Sequence, residues 1–520
     1  MAVIHGAVSR AVHASARRPT PVPDLHRDRE HGGEGRYGFT GFFTPVAGTL
    51  LLLAGCKSQR CKRVSMHQRM QSARHGGARG AGASAASDES ASKGWYFPFI
   101  LASTAVRSFE AGVVASMMPS IRQGLHLSYT SQGNVAGAPD YGIVPSGLLA
   151  MAVFKKFSAY SALTSGYFVI AAVSVLCACH PSLWSLVAAR AIGGLCWGLA
   201  AVHYPTWVNK YGPAEQRTIW MAGINAMLLA GIVSGYVLGG LARATGWANW
   251  QSLYLLEGLL MLCCGVLGSR FDPQVVQVGQ AEAEDEGLKG PKTSPGARKS
   301  LIPEELKALG RSGHFLCTLA AGCFQSGAVG FMLYFITQAL AAIFHWPAKT
   351  IYVIVSLVIT IGPIGGIVLG ASYLSRVGGY QNYRQANGLT AVCAFLSLLC
   401  GLCMNFAGGS PLAYGAANMG LLLFGAAPTA AINGIAVSCV PEAKHFASAA
   451  QFAAQNLAKL LIPLIGGIVI DHLGLMRGYH LVISGALLLY AAAAGAAYLQ
   501  AVRLPQGEGK TIVGAVDGGG

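Results

Sequence analysis

Charge is what this sequence has least of. Only 11% of its 520 residues are Asp, Glu, Lys or Arg, against roughly 25% in ordinary soluble domains. Acid is the scarcer sign, 21 Asp and Glu against 37 Lys and Arg, which leaves a net charge of +16. With 53% hydrophobic residues, such a chain does not read as a soluble enzyme. The excess of positive charge is not a nucleic-acid footprint either. It collects in an N-terminal tail, a central linker and short loops on alternate sides of apolar runs, which is how a membrane protein records its orientation. Metal-ligand spacing is also missing. Of the thirteen cysteines, Cys177, Cys179, Cys263 and Cys264 lie inside apolar stretches, where a thiol acts as a small hydrophobe. No GxxxxGK[ST] loop cradles a nucleotide phosphate, so no ATP drive is expected. With no paired catalytic groups in sight, no cofactor and no enzymatic reaction are expected.

What is present is a series of apolar runs from Trp95 to Val502, each about the 20 residues a helix needs to cross a bilayer. Their limits predict twelve spans: 95–120, 136–154, 159–180, 183–208, 218–241, 250–270, 313–344, 348–374, 386–406, 411–438, 445–470 and 478–502. The expected fold is an all-α polytopic membrane protein with six helices over 95–270 and six over 313–502. A polar linker, 271–312, lies between them and reads as a solvated tether, with the acidic cluster EAEDE at 282–286. Residues 1–94 read as a disordered basic tail and 503–520 as a short C-terminal one. Within the first tail, 38–56 is apolar. It reads either as an extra or re-entrant helix, or as part of an upstream extension with the start at Met66 or Met70. Lys155, Lys156, Lys210, Arg217, Arg376, Arg384 and Lys444 fall in loops on the side of the termini, and Arg122, Arg243, Lys349 and Arg477 in loops on the other. The basic segment before the first span and the linker add to the first side, so both termini are expected in the cytosol.

Two spans carry doubled glycine ladders: Gly231, Gly235 and Gly239 in the fifth, Gly362, Gly366 and Gly370 in the eighth. Glycine at every fourth position makes a smooth face on which backbones approach closely. One ladder in each half suggests that the two form the seam between halves.

Six spans, a linker and six spans with both ends inside resembles the major facilitator superfamily. That family has a Gly…Asp-Arg-x-Gly loop after its second and eighth helices. Here GLLAMAVFKKFSAY (147–160) and GASYLSRVGG (370–379) are similar, but neither holds the Asp. Lys155, Lys156 and Arg376 keep the basic part of these gating loops without its acid. Finer residues resemble the Spinster-type branch: Glu110, Pro119 and Ile121 in the first helix, then Leu127-Ser128 and Gln132-Gly133, and Arg190, Gly194 and Pro205 in the fourth. Trp197 stands where that branch has its fourth-helix acid, and Ala111 where an Arg follows the first-helix acid. The resemblance implies alternating access, and a lysolipid-like or sphingoid-phosphate substrate moved with protons.

Ionisable residues inside the spans carry the site expectation. A lone charge at helix centre costs at least about 2.5–3.5 kcal/mol even on the lenient insertion scale. At 1.5 Å per residue, Glu110, Arg107, Arg190 and Lys459 all fall roughly 8–12 Å from the far face. A shared wet cavity is therefore expected for them, with Gln455 extending the stripe Ser448, Gln451, Gln455, Lys459. Three cations against one carboxylate give +2, which favours an anionic group held by Arg. Trp197, Phe331 and Tyr334 read either as walls for a hydrophobic tail or as core. Glu257 reads as a structural charge on a peripheral helix, and Glu110 as the group that takes the coupling proton. The reading is a monomeric secondary or facilitative transporter for a small organic anion or lysolipid-like amphiphile, in a plasma or endolysosomal membrane. Its partners are the substrate, the lipid bilayer and protons, with no nucleic acid. A transport-inactive receptor or scaffold on the same fold stays open as the alternative.

Overall fold

The computed structural model describes residues 82–213, 216–278, 304–379, 382–407, 410–440 and 444–503. The expectations for 38–56, most of 1–94, the centre of the linker and 504–520 lie outside the described residues. The described residues form helices and no strand. In chain order these are α1 (Gly82–Gly124), α2 (Tyr129–Lys156), α3 (Ala159–Cys179), α4 (Leu183–Tyr211), α5 (Arg217–Thr245) and α6 (Trp250–Gly268). Two short helices follow, α7 (Pro273–Val276) and α8 (Glu304–Arg311). The second half holds α9 (Gly313–Phe344), α10 (Ala348–Arg376), α11 (Tyr383–Phe406), α12 (Pro411–Ala426), α13 (Thr429–Ser438), α14 (Lys444–Leu473) and α15 (Leu475–Arg503). The short helices α12 and α13 make one span, interrupted at Ala427–Pro428, because proline has no N–H to continue the ladder.

Among the described residues, eleven helices are long and apolar enough to cross a bilayer. The twelfth, α2, is not among them and carries Gln132, Asn134 and Asp140. Its 28 residues are covered by α4 on one side and α14 on the other, so little of it has to face lipid. Two boundaries differ from the sequence expectation. The first described helix is already formed at Gly82, the first described residue, so no break falls at 94/95. The start of the linker is packed, not solvated. Val275 and Val276 are buried, Trp207 Nε1 donates to the Val275 carbonyl at 2.8 Å, and the Tyr211 hydroxyl donates to that of Gln277 at 2.8 Å.

The glycine ladders do not form the seam. A methyl group at Gly231 or Gly235 would fall on the carbonyl of Ala105 or Phe109 in α1, so the first ladder seats α5 on α1 within its own half. Gly366 and Gly370 likewise meet the Leu423 and Ala427 carbonyls, and Gly362 meets Leu422, seating α10 on the broken span. Each ladder lets two helices of the same half touch backbone to backbone. The seam has glycines of its own on α2 and α14: Gly133 meets the Pro463 carbonyl, Gly137 meets Leu460, and Gly467 meets the Tyr129 carbonyl. Helices α5 and α10 do touch, through side chains: the Arg243 guanidinium donates to the Tyr352 hydroxyl at 2.8 Å, and that hydroxyl donates to the Ser116 carbonyl at 2.9 Å.

The core shows which end of the seam is closed. One apolar cluster runs across both halves. Its first-half members come from Phe109–Leu127, the start of α2, and the ends of α3 to α6 farthest from the chain termini. Near the termini the clusters stay within one half: Tyr96, Ile100, Tyr204 and Trp207 in the first, Leu309, Phe315 and Val440 in the second. The two halves are thus sealed on the far side and unjoined by core on the terminal side.

Candidate functional site

Arg107 and Glu110 are three apart on α1, which puts them on one helix face. Arg190 and Glu257 are each seven residues in from the far ends of α4 and α6, about 10 Å deep at 1.5 Å per residue. The four meet in the first half. Arg107 Nη1 donates to Glu110 Oε2 at 3.0 Å and to Glu257 Oε1 at 3.2 Å. Glu110 Oε1 accepts from the Tyr254 hydroxyl at 2.8 Å and lies 3.2 Å from Arg190 Nη1. This last contact has ion-pair distance without hydrogen-bond alignment. Arg190 Nη2 donates across the seam to the Tyr334 hydroxyl on α9, at 2.7 Å. The Ser174 hydroxyl donates to Glu257 Oε2 at 3.3 Å.

All four charged residues are buried, from 1% exposure at Arg190 and Glu257 to 6% at Arg107. Two cations face two carboxylates, which is the condition for holding charge in a dry interior. The space they enclose is about 10 Å³, room for about one water. No substrate fits there in this conformation.

A separate, larger cavity of about 190 Å³ opens in the second half, between α9, α10, the broken span and α14. Gln325, Thr429, Asn433, Gln455 and Lys459 give it hydrogen-bonding groups, and Val329, Pro363 and Leu422 an apolar wall. Asn433 Oδ1 accepts from Gln451 at 2.7 Å and from Gln455 at 3.4 Å. Lys459 Nζ donates to Asn456 Oδ1 at 3.2 Å and is the charged residue of the lining.

The expected four-charge cavity is therefore divided. Arg107, Glu110 and Arg190 sit together, but Lys459 and Gln455 belong to the other cavity. The expected +2 also falls away, because Glu257 belongs to the cluster and makes it neutral. Buried Asp140 on α2 stands between the two sites, with Lys459 and Arg190 as its Coulombic neighbours. Trp197 lines neither cavity; it packs edge-on against Tyr204 in the first-half core. Phe331 is core, stacked on Phe335. Lys155, Lys156 and Arg376 are exposed at helix ends, and among the described residues they make no ion pair. Asp140 and Tyr254 were missed by sequence reasoning, and Glu257 was misplaced. Asp140 was findable, since an Asp within a span is the same signal that singled out Glu110.

The far side is closed by polar contacts as well as by core. The Asp471 carboxylate on α14 accepts from the Tyr129 and Thr130 amides at 3.0 and 2.8 Å and from the Thr130 hydroxyl at 2.7 Å. It thereby caps the α2 N-terminus from the other half. Gln132 donates to the Tyr334 carbonyl at 3.1 Å and accepts from Gln338 at 3.0 Å. Tyr236 bonds Thr337.

A multi-pass helical bundle of two halves, sealed at one end around a buried ionic cluster and a polar cavity, defines the class: an integral membrane transporter. The Major Facilitator Superfamily model matches residues 100–426, and the chain belongs to that family. Several solved structures share the fold. A bacterial homologue of the human lysosomal transporter Spinster, inward-facing and occupied, is similar with TM-score 0.60 and 11% identity, covering 79% of this chain and 97% of that one. A D-xylose–proton symporter gives 0.60 and 15%, covering 80% and 99%. A nucleoside transporter gives 0.58 and 12%, covering 79% and 99%. No curated protein sequence matches the chain.

Proposed function

We propose that this protein is a proton-coupled secondary transporter that moves a small organic anion by alternating access, with the closed far side facing away from the cytosol. The observation that carries the substrate class is the second-half cavity. Its lining has Lys459 as its charge and Gln325, Asn433 and Gln455 as neutral donors and acceptors. A carboxylate or phosphate fits beside the ammonium, and hydroxyl or amide groups of the same molecule fit the amides. The apolar wall of Val329, Pro363 and Leu422 supports a second reading, a lysolipid-like amphiphile whose chain lies along it. Coupling rests on the first-half cluster. Arg190 ties Glu110 to Tyr334 across the seam, so a change of protonation among the carboxylates alters a bond between halves. The resemblance to Spinster-type sequences at Glu110 and Arg190 supports the same assignment.

The test is counterflow exchange in proteoliposomes against a panel of lysolipids, organic anions, sugars and amino acids. Anions are expected to exchange. Lys459→Gln should raise KM about 10- to 100-fold, since a hydrogen bond to a charged group is worth about 1.5–3 kcal/mol. Exchange of neutral sugars alone, unaffected by Lys459→Gln, would reject the anion. No exchange of any compound would favour the receptor or scaffold.

A further inference from the structure

The cluster contains a carboxylate that the Spinster-like sequence pattern does not supply. That branch pairs its first-helix acid with one on the fourth helix, where this chain has Trp197. Here the second acid arrives from a different helix, as Glu257 of α6. We propose that Glu257, rather than Glu110, is the residue on which the coupling proton rests; this deepens the proton-coupled reading above and depends on it.

Geometry separates the two carboxylates. Glu110 has contacts from Arg107, Arg190 and Tyr254, so both of its oxygens face donors and one lies between a cation and a hydroxyl. Glu257 shares Arg107 Nη1 with Glu110 and otherwise accepts from Ser174 alone, at 3.3 Å. Helix α1 presents Arg107 and Glu110, α3 presents Ser174 and Cys177, α4 presents Arg190, and α6 itself presents Tyr254. The cation in contact with Glu257 is therefore one it shares with a better-served competitor. A proton is taken up most easily on the carboxylate with the weaker claim.

The consequence follows the bonds. A proton added to Glu257 Oε1 turns this oxygen from acceptor to donor and ends its contact with Arg107 Nη1. Arg107 then serves Glu110 alone. Glu110 is better neutralised and holds Arg190 less tightly. Arg190, whose contact with Glu110 already lacks hydrogen-bond alignment, is left to Tyr334 and the seam. The cluster passes from neutral to +1, which makes the field at the second-half cavity more favourable to an entering anion. When the proton leaves, Glu257 reclaims Arg107 and the neutral state returns. The enclosed space, room for about one water, is lined by both Glu110 and Glu257.

Infrared difference spectroscopy of the full-length protein in lipid tests this without a known substrate. Between about pH 6 and 9 exposed carboxyls are already ionised, so a carboxylic-acid carbonyl band that titrates there reports a buried group. In an Asp140→Asn background, which removes the buried α2 carboxyl from this window, the protein should show one such band, and Glu257→Gln should lose it. Ser174→Ala removes a donor from Glu257 only and should displace the band along the pH axis. Tyr254→Phe removes one from Glu110 and should displace it less. A band that persists in Glu257→Gln, or follows Tyr254→Phe and not Ser174→Ala, overturns the assignment to Glu257 while leaving proton coupling intact. No such band in that background, and no gradient-driven uptake by the wild type, removes both.

Discussion

Replacing Arg107 with Met tests the charge ledger of the buried cluster. Methionine keeps much of the volume and removes the cation. Glu110 would retain Arg190 and Tyr254, but Glu257 would be left with Ser174 alone. Removing one partner from a buried ion pair typically costs about 3–5 kcal/mol while the other charge stays ionised, so the comparison is made at the alkaline end of the pH range, before Glu257 can escape the cost by taking up a proton. Glu257→Gln alone should cost less, about 1–3 kcal/mol, since Arg107 still has Glu110. The informative variant combines both. Arg107→Met with Glu257→Gln leaves one cation, Arg190, facing one carboxylate, Glu110, and should recover most of the loss of the first substitution. The assay is the thermal unfolding midpoint of the purified full-length protein in detergent micelles, read as a double-mutant cycle. If the two effects add, or if Arg107→Met lies within about 1 kcal/mol of wild type, Arg107 does not bridge two ionised carboxylates and the charge reasoning fails.

Three further outcomes follow from the packing and the far-side closure. Gly235→Ala places its methyl on the Phe109 carbonyl of α1, where the obstacle is backbone; overpacking should lower stability by about 1–3 kcal/mol. Gly485→Ala on α15 meets open space and should raise the unfolding midpoint, by up to about 1 kcal/mol of stability; the same sign for both would contradict the close approach of α5 to α1. Asp471→Ala should speed hydrogen exchange at the Tyr129 and Thr130 amides by roughly tenfold or more, given about 1.5–3 kcal/mol for a bond to a charged acceptor, and unchanged exchange would mean the far side is held by core alone.

The spans were legible because a run of apolar residues needs no tertiary information to be read as a membrane helix. Even α2, whose polar content lowers its hydropathy, was visible from Ile143 through Phe154, though its start was placed seven residues late. The meeting of Arg107, Glu110 and Arg190 needed depth along each helix together with the family resemblance, which makes helices one and four neighbours. The partner of each ladder was not. A GxxxG face states that a backbone comes close, but carries nothing that selects which one, and α1 and the broken span took the faces assigned to the seam. Glu257 is not the structural charge of a peripheral helix that the sequence suggests, because the inner face of α6 is turned to Arg107 of α1 and Ser174 of α3. Lys459 was misassigned because depth fixes only one coordinate: two groups at one level can lie in different halves.

The most direct measurement is gradient-driven accumulation by the full-length protein in proteoliposomes. A radiolabelled anion that exchanges in the counterflow panel is supplied outside, with a pH difference imposed across the membrane. The account predicts accumulation above the external concentration, collapse on adding a protonophore, and loss of accumulation in Glu257→Gln while exchange continues. Equal internal and external concentrations in the wild type, whatever the pH difference, would contradict it.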